Sequence, residues 1–145
     1  MRLNDIIIDL LNYALDCRIG FELTHELDDH TTSLSDTHRR KIIINMGYYR
    51  QHQIPLQIGH EITHVNHADR SYHNLIGYDS LYSDPLTENS ANQGAIHLLL
   101  PYYLRDKNPE QINIYTFMNY FDIPDHLTQL VKLEINNYVR DGILG

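Results

Sequence analysis

His60 and His64 stand four residues apart with Glu61 directly after the first. That spacing constrains the fold more than anything else in the chain. An α-helix advances about 3.6 residues per turn, so side chains at i and i+4 stack on one face. On such a helix two imidazoles reach one ion, and Glu61 stands about 100° round the rod. Hydrolytic zinc chemistry needs this set: two neutral nitrogen ligands and a carboxylate that can take a proton from the attacking water. With 10 His and 6 Glu in 145 residues, roughly 0.03 chance matches to His-Glu-x-x-His are expected, so the flanking residues decide. Pro55 suits a first helical turn, and Leu56, Ile58, Ile62 and Val65 supply an apolar side to anchor the helix.

The bulk numbers narrow the field. A chain of 145 residues reads as one domain with a real core, residues 1–104 carrying the chemistry and 105–145 adding a C-terminal helical element. The formal net charge of -8 argues against a primary nucleic-acid binder, which needs a basic face. Cys17 is the sole cysteine, and its apolar-periodic surroundings mark it as a small buried residue. The N-terminus carries Asp5 and Asp9 and no long apolar run, so no signal peptide is expected. No stretch approaches the ~20 apolar residues of a membrane span. These features point to the reducing cytoplasm of a cell.

Leu3, Ile6, Ile7, Leu10, Leu11, Ala14 and Leu15 recur at helical spacing, and Gly20 is the expected stop. Residues 21–27 alternate as a half-buried strand. The polar stretch 28–40 suggests a turn and a weak edge strand around 31–35. Lys41-Ile42-Ile43-Ile44-Asn45 reads as a central strand. Residues 68–83 have no clean period and read as a loop. Asp84-Pro85 opens a helix expected to run to about residue 100, where Pro101 interrupts it. Asn108-Pro109 opens another, Asp122-Ile123-Pro124 breaks it, and a last helix ends before Gly142. The expected class is α+β: mainly helical, with a small antiparallel sheet beside the helix that bears His60 and His64.

A catalytic zinc usually has three protein ligands and an open position. One large class takes a third His six residues past the second, with a Gly between; here Arg70 and His67 occupy those places, so that class is excluded. Another takes a Glu from the next helix. Of Glu88, Glu110 and Glu134, only Glu88 lies there. Asn92 shares its face and can hold a ligand imidazole by hydrogen bonding. His97, nine residues from Glu88, faces elsewhere. His67 shares the face of His60 and His64, but as a ligand it would fill the open position, so a surface or supporting role is expected. His25, His30, His38, His52, His73 and His126 are scattered.

Ile58-Gly59-His60-Glu61-Ile62-Thr63-His64 resembles the His-Glu-x-x-His helix of the ImmA/IrrE metallopeptidases. Glu88-Asn89-Ser90-Ala91-Asn92, followed by Ala95 and Leu98-Leu99-Leu100-Pro101, is similar to that family's Glu-x-x-Ala-Asn segment. The resemblance covers about residues 1–104. Gly94 stands where the family often has a bulky aromatic, and Thr63 where Gly is common. The resemblance implies a small, gluzincin-like zinc endopeptidase: His60, His64 and Glu88 hold Zn2+, and Glu61 is the catalytic base. Its implied partner is a helix-turn-helix transcriptional repressor of a phage or mobile element, cleaved in a bacterial host. The alternative is a non-proteolytic antirepressor that grips the repressor with its metal site idle or structural. Tyr72, His73, Tyr78 and Tyr82 are candidate oxyanion donors. The C-terminal helix pair reads as a packing or docking element, because four basic residues against six acidic ones in 105–145 disfavour contact with phosphate.

Overall fold

The structure is a computed structural model and describes residues 2–67, 75–77 and 85–144. Helix α1, Leu3–Asp16, buries Ile6, Ile7, Leu10, Leu11 and Ala14, the stripe its periodicity requires. The helix does not stop on Gly20. Arg18 takes the left-handed conformation (φ 62°), its amide bonds to Leu15 O, and the Ile19 amide reaches back to Ala14 O, both at 2.9 Å. That pair of bonds satisfies carbonyls at the helix end. Gly20 is left to begin strand β1, Gly20–Thr24.

Strands β2 (Leu34–Asp36), β3 (Lys41–Asn45) and β4 (Leu75–Gly77) complete a sheet of order β1-β3-β2-β4. The antiparallel expectation needs correction, because the sheet is mixed. β1 runs parallel to β3, Gly20 opposite Lys41 and Thr24 opposite Asn45, while β2 is antiparallel to both β3 and β4. The chain leaves β1, makes the β2–β3 turn with Arg40 left-handed (φ 52°), and returns in its original direction. The expected weak edge strand is therefore interior. Ser33 and Ser35 are fully buried, and small side chains there let the next helix lie close. The expected loop 68–83 lies outside the described residues except for β4, which is a strand rather than part of a loop.

Helix α2, Ile54–Asn66, is buried at every position from Ile54 to Val65, so it is enclosed rather than half-exposed. Its polar residues are accommodated by hydrogen bonds. Gln57 Oε1 accepts from the Ser33 amide at 2.8 Å, and Gln57 Nε2 donates to Gln53 Oε1 at 3.0 Å. Asn45 donates to the carbonyls of Asp28 and Thr31, fastening the polar stretch before β2 to the end of β3. Buried polar groups matched in this way lose little on leaving water.

Helix α3 runs from Pro85 to Leu104, through Pro101 rather than ending there. Proline removes one amide and crowds one carbonyl, but Leu104 is buried and Tyr102 and Tyr103 pack on the core, so apolar contact carries the last turn onward. The cap expected at Asp84 lies outside the described residues. Pro109–Gln111 is a single 3-10 turn, short of the expected helix, and α4 begins only at Ile114 and ends at Tyr120. Helix α5, Thr128–Leu144, continues past Gly142. One apolar cluster joins Ile6 and Leu10 of α1, Ile42 and Ile44 of β3, Ile58 and Ile62 of α2, Leu99 of α3, Phe117 of α4 and Val131 of α5. Among the described residues no helix is long and apolar enough to cross a membrane.

Candidate metal centre

Two close approaches set the spacing of α2 and α3. A methyl placed on Gly59 would lie 3.1 Å from Ala95 Cα, and one on Gly94 would lie 2.4 Å from Thr63 Oγ1. The absent side chain at Gly94 thus makes the room that Thr63 occupies. Gly94 and Thr63 exchange volume across the helix pair. Thr63 also donates to Gly59 O at 2.8 Å, which ties its hydroxyl to its own helix.

With the helices this close, and antiparallel, His60 faces Asn92 and His64 faces Glu88. The three candidate ligand side chains converge. His64 Nε2 lies 2.8 Å from Glu88 Oε1, His60 Nε2 lies 3.1 Å from Glu88 Oε2, and the two Nε2 atoms are 3.1 Å apart. The rings stand at 74° with centroids 4.6 Å apart. Metal–nitrogen and metal–oxygen bonds of about 2.0–2.1 Å at tetrahedral angles would separate ligand atoms by roughly 3.3 Å. The observed triangle is slightly tighter than that and could close round one ion. His60, His64 and Glu88 therefore form a group able to hold a metal ion.

Asn92 hydrogen-bonds His60. Its Oδ1 is 2.8 Å from His60 Nδ1; an amide oxygen only accepts, so Nδ1 carries a proton in this contact and Nε2 is turned toward the triangle. A proton carried on one of these ring nitrogens, or a cation shared by all three groups, offsets the repulsion between lone pairs that meet at about 3 Å. Glu88 records that pull. Burial raises its carboxyl pKa, but hydrogen bonds and charge from His60 and His64 outweigh it and hold the group at about 2, against an ordinary 4.5. His60 and Glu61 are fully buried and His64 is 2 % exposed, whereas the Glu88 side chain is 21 % exposed. The site therefore opens to solvent on the Glu88 side.

No family model, curated protein or solved structure matches this chain.

Other histidines do not join the triangle. His67 is exposed at the C-terminal cap of α2, consistent with a surface role. His25, His38, His52 and His126 are exposed. Exposed His30 hydrogen-bonds Asp29 at 2.7 Å and stacks on Tyr49; with Asp28 and Asp29 it forms a second group of possible ligands, all of them at the surface. The candidate oxyanion donors Tyr72, His73, Tyr78 and Tyr82 lie outside the described residues.

Sequence reasoning passed over Glu134. It is only 5 % exposed, accepts from Gln93 Nε2 at 2.7 Å and lies 3.3 Å from His97 Nδ1. The signal was available: Leu127, Val131, Glu134 and Tyr138 recur at helical spacing, so a carboxylate interrupts an otherwise apolar stripe.

Proposed function

We propose that this protein is a zinc-dependent endopeptidase. One observation carries the reading: Nε2 of His60, Nε2 of His64 and the Glu88 carboxylate meet within 3.1 Å, one residue from a fully buried Glu61. A zinc ion held by that triangle would polarise a peptide carbonyl and bring the pKa of a water toward neutrality. Asn92 fixes the tautomer and the plane of His60. Glu61 is the proton carrier: it accepts from the attacking water and hands the proton to the departing amide nitrogen. Glu88 completes the charge set and, being the only partly exposed member, lies where a substrate enters.

The proposed substrate is a helix-turn-helix transcriptional repressor of a phage or mobile element. The motif resemblance supports that choice, and so does an acidic chain of net charge -8, which suits a basic DNA-binding partner better than DNA itself. The test is a Glu61→Gln variant incubated with zinc and a repressor encoded beside it, with products read by mass spectrometry. Wild type should cut the repressor at a defined bond. The variant should keep one zinc per chain and lose at least about 100-fold in cleavage rate. Cleavage at the wild-type rate would remove Glu61 from the chemistry. If the variant still inactivates the repressor without cutting it, the protein acts by binding instead.

A further inference from the structure

Beside the α2–α3 pair lies a cleft of about 400 Å3 whose lining contains none of His60, His64 and Glu88; His67 lines it from α2, Tyr13 from α1 and Glu134 from α5. Asn66 of α2, Gln93 and His97 of α3 and Tyr13 of α1 give it a polar rim, while Ile62 and Leu98 form apolar wall. Glu134 reaches it from α5. Its side chain is 7 % exposed, and among the described residues no Lys or Arg lines the cleft. Among the described residues the ion-pair partner of this carboxylate is His97, whose charge depends on its protonation. One oxygen is well bonded to Gln93 at 2.7 Å. The other has a longer contact, 3.3 Å, with His97, whose own side chain is 72 % exposed and free to swing aside.

A buried carboxylate is stabilised most by a charge-assisted, preferably forked, hydrogen bond. A straight aliphatic stem lying along apolar wall, with its charged head on such a carboxylate, is the binding mode of long basic side chains. We propose that this cleft binds a guanidinium or primary ammonium group carried on an aliphatic stem, with Glu134 as its charge partner. The site is separate from the metal triangle and requires neither zinc nor Glu61.

The experiment titrates the full chain with agmatine, and separately with an arginine-containing peptide, following backbone amide signals by NMR. Saturable shifts centred on Gln93, Gly94 and His97 are expected with at least one probe. Glu134→Gln keeps the volume and a hydrogen bond to Gln93, and should weaken binding at least about tenfold, the effect of one charged hydrogen bond. Ser90→Lys, an exposed substitution at the cleft margin, places a repelling charge there and should weaken binding even if the Glu134 variant fails to fold. A peptide that binds at least about tenfold tighter than agmatine would identify a protein segment as the source of the cation; equal affinities would identify a free small molecule. No saturable shift with either probe overturns the proposal, as does unchanged affinity in a folded variant at either position.

Discussion

The two flanks of the α2–α3 pair solve the same electrostatic problem in opposite ways. Each surrounds a Glu carboxylate with polar neighbours, Glu134 nearly buried and Glu88 partly open to solvent. On the Glu88 flank the neighbours are two imidazole nitrogens at 2.8 and 3.1 Å, and the imidazoles themselves approach to 3.1 Å. Within that trio a proton on a ring nitrogen or a shared cation offsets the repulsion. On the Glu134 flank an amide N–H and one imidazole receive the carboxylate, so the protein meets much of its hydrogen-bonding need from its own donors. The first arrangement could hold a metal ion, and the second takes hydrogen bonds from the protein's own donors. Residue inventory alone would not separate them, since both contain Glu, His and an amide side chain. Distance and the number of converging lone pairs do.

Removing a ligand is the strongest way to break the contrast. His64→Ala should drop bound zinc from one per chain to none after dialysis, measured by metal analysis, whereas Glu134→Gln should leave that stoichiometry unchanged. Added zinc should likewise raise the melting temperature of wild type and leave His64→Ala unmoved, because a ligand stabilises only the state that binds it.

Asn92→Ala should act more weakly, lowering zinc affinity roughly 10- to 100-fold in competition with a chelator, since it frees the His60 ring without deleting a ligand. An unchanged affinity would mean that packing alone orients His60.

The seam between the flanks is tested by Gly94→Ala. Overpacking against Thr63 should cost about 1–3 kcal/mol in denaturant unfolding. Thr63→Ala removes the Oγ1 and Cγ2 that a new methyl would meet at 2.4 and 2.6 Å, so the double variant should recover part of the loss. Strict additivity would show that the two residues do not exchange volume.

The smallest effect is in metal-free protein under acid. Glu88 is held at about 2 against an ordinary 4.5, so its contribution is fully present above the higher value and disappears as pH falls through the lower one. The stability difference between wild type and Glu88→Gln should therefore shrink between pH 4.5 and 2. A constant difference across that window would assign the effect to packing.

How much was legible in the sequence follows from how local each constraint is. His60, Glu61 and His64 were readable because one helix sets their angles, and Glu88 with Asn92 because they repeat the same i, i+4 step on the next helix. The parallel pairing of β1 with β3 was not, since strand direction depends on where the chain returns after β2 and leaves no mark on the strands themselves. Nor was the interior place of β2: buried serines look like surface serines until the helix packed on them is known. Pro101 misled because the rule for proline concerns one missing amide, while the burial of Leu104 is a tertiary fact. Glu134 was legible as a charge in an apolar stripe, but its partners Gln93 and His97 belong to another helix.

The contact between Gly59 and Ala95, with that between Gly94 and Thr63, acts as a gauge block. It sets how closely α2 and α3 approach, and with that how far Glu88 stands from the two imidazoles of the candidate metal group. Bonds near 2.1 Å suit zinc and bonds of 2.3–2.6 Å suit calcium, a difference of only a few tenths of an ångström. One added methyl between the rods is larger than that difference, so under the proposed function the fit of an ion would rest on Gly59 and Gly94, neither of which is a candidate ligand.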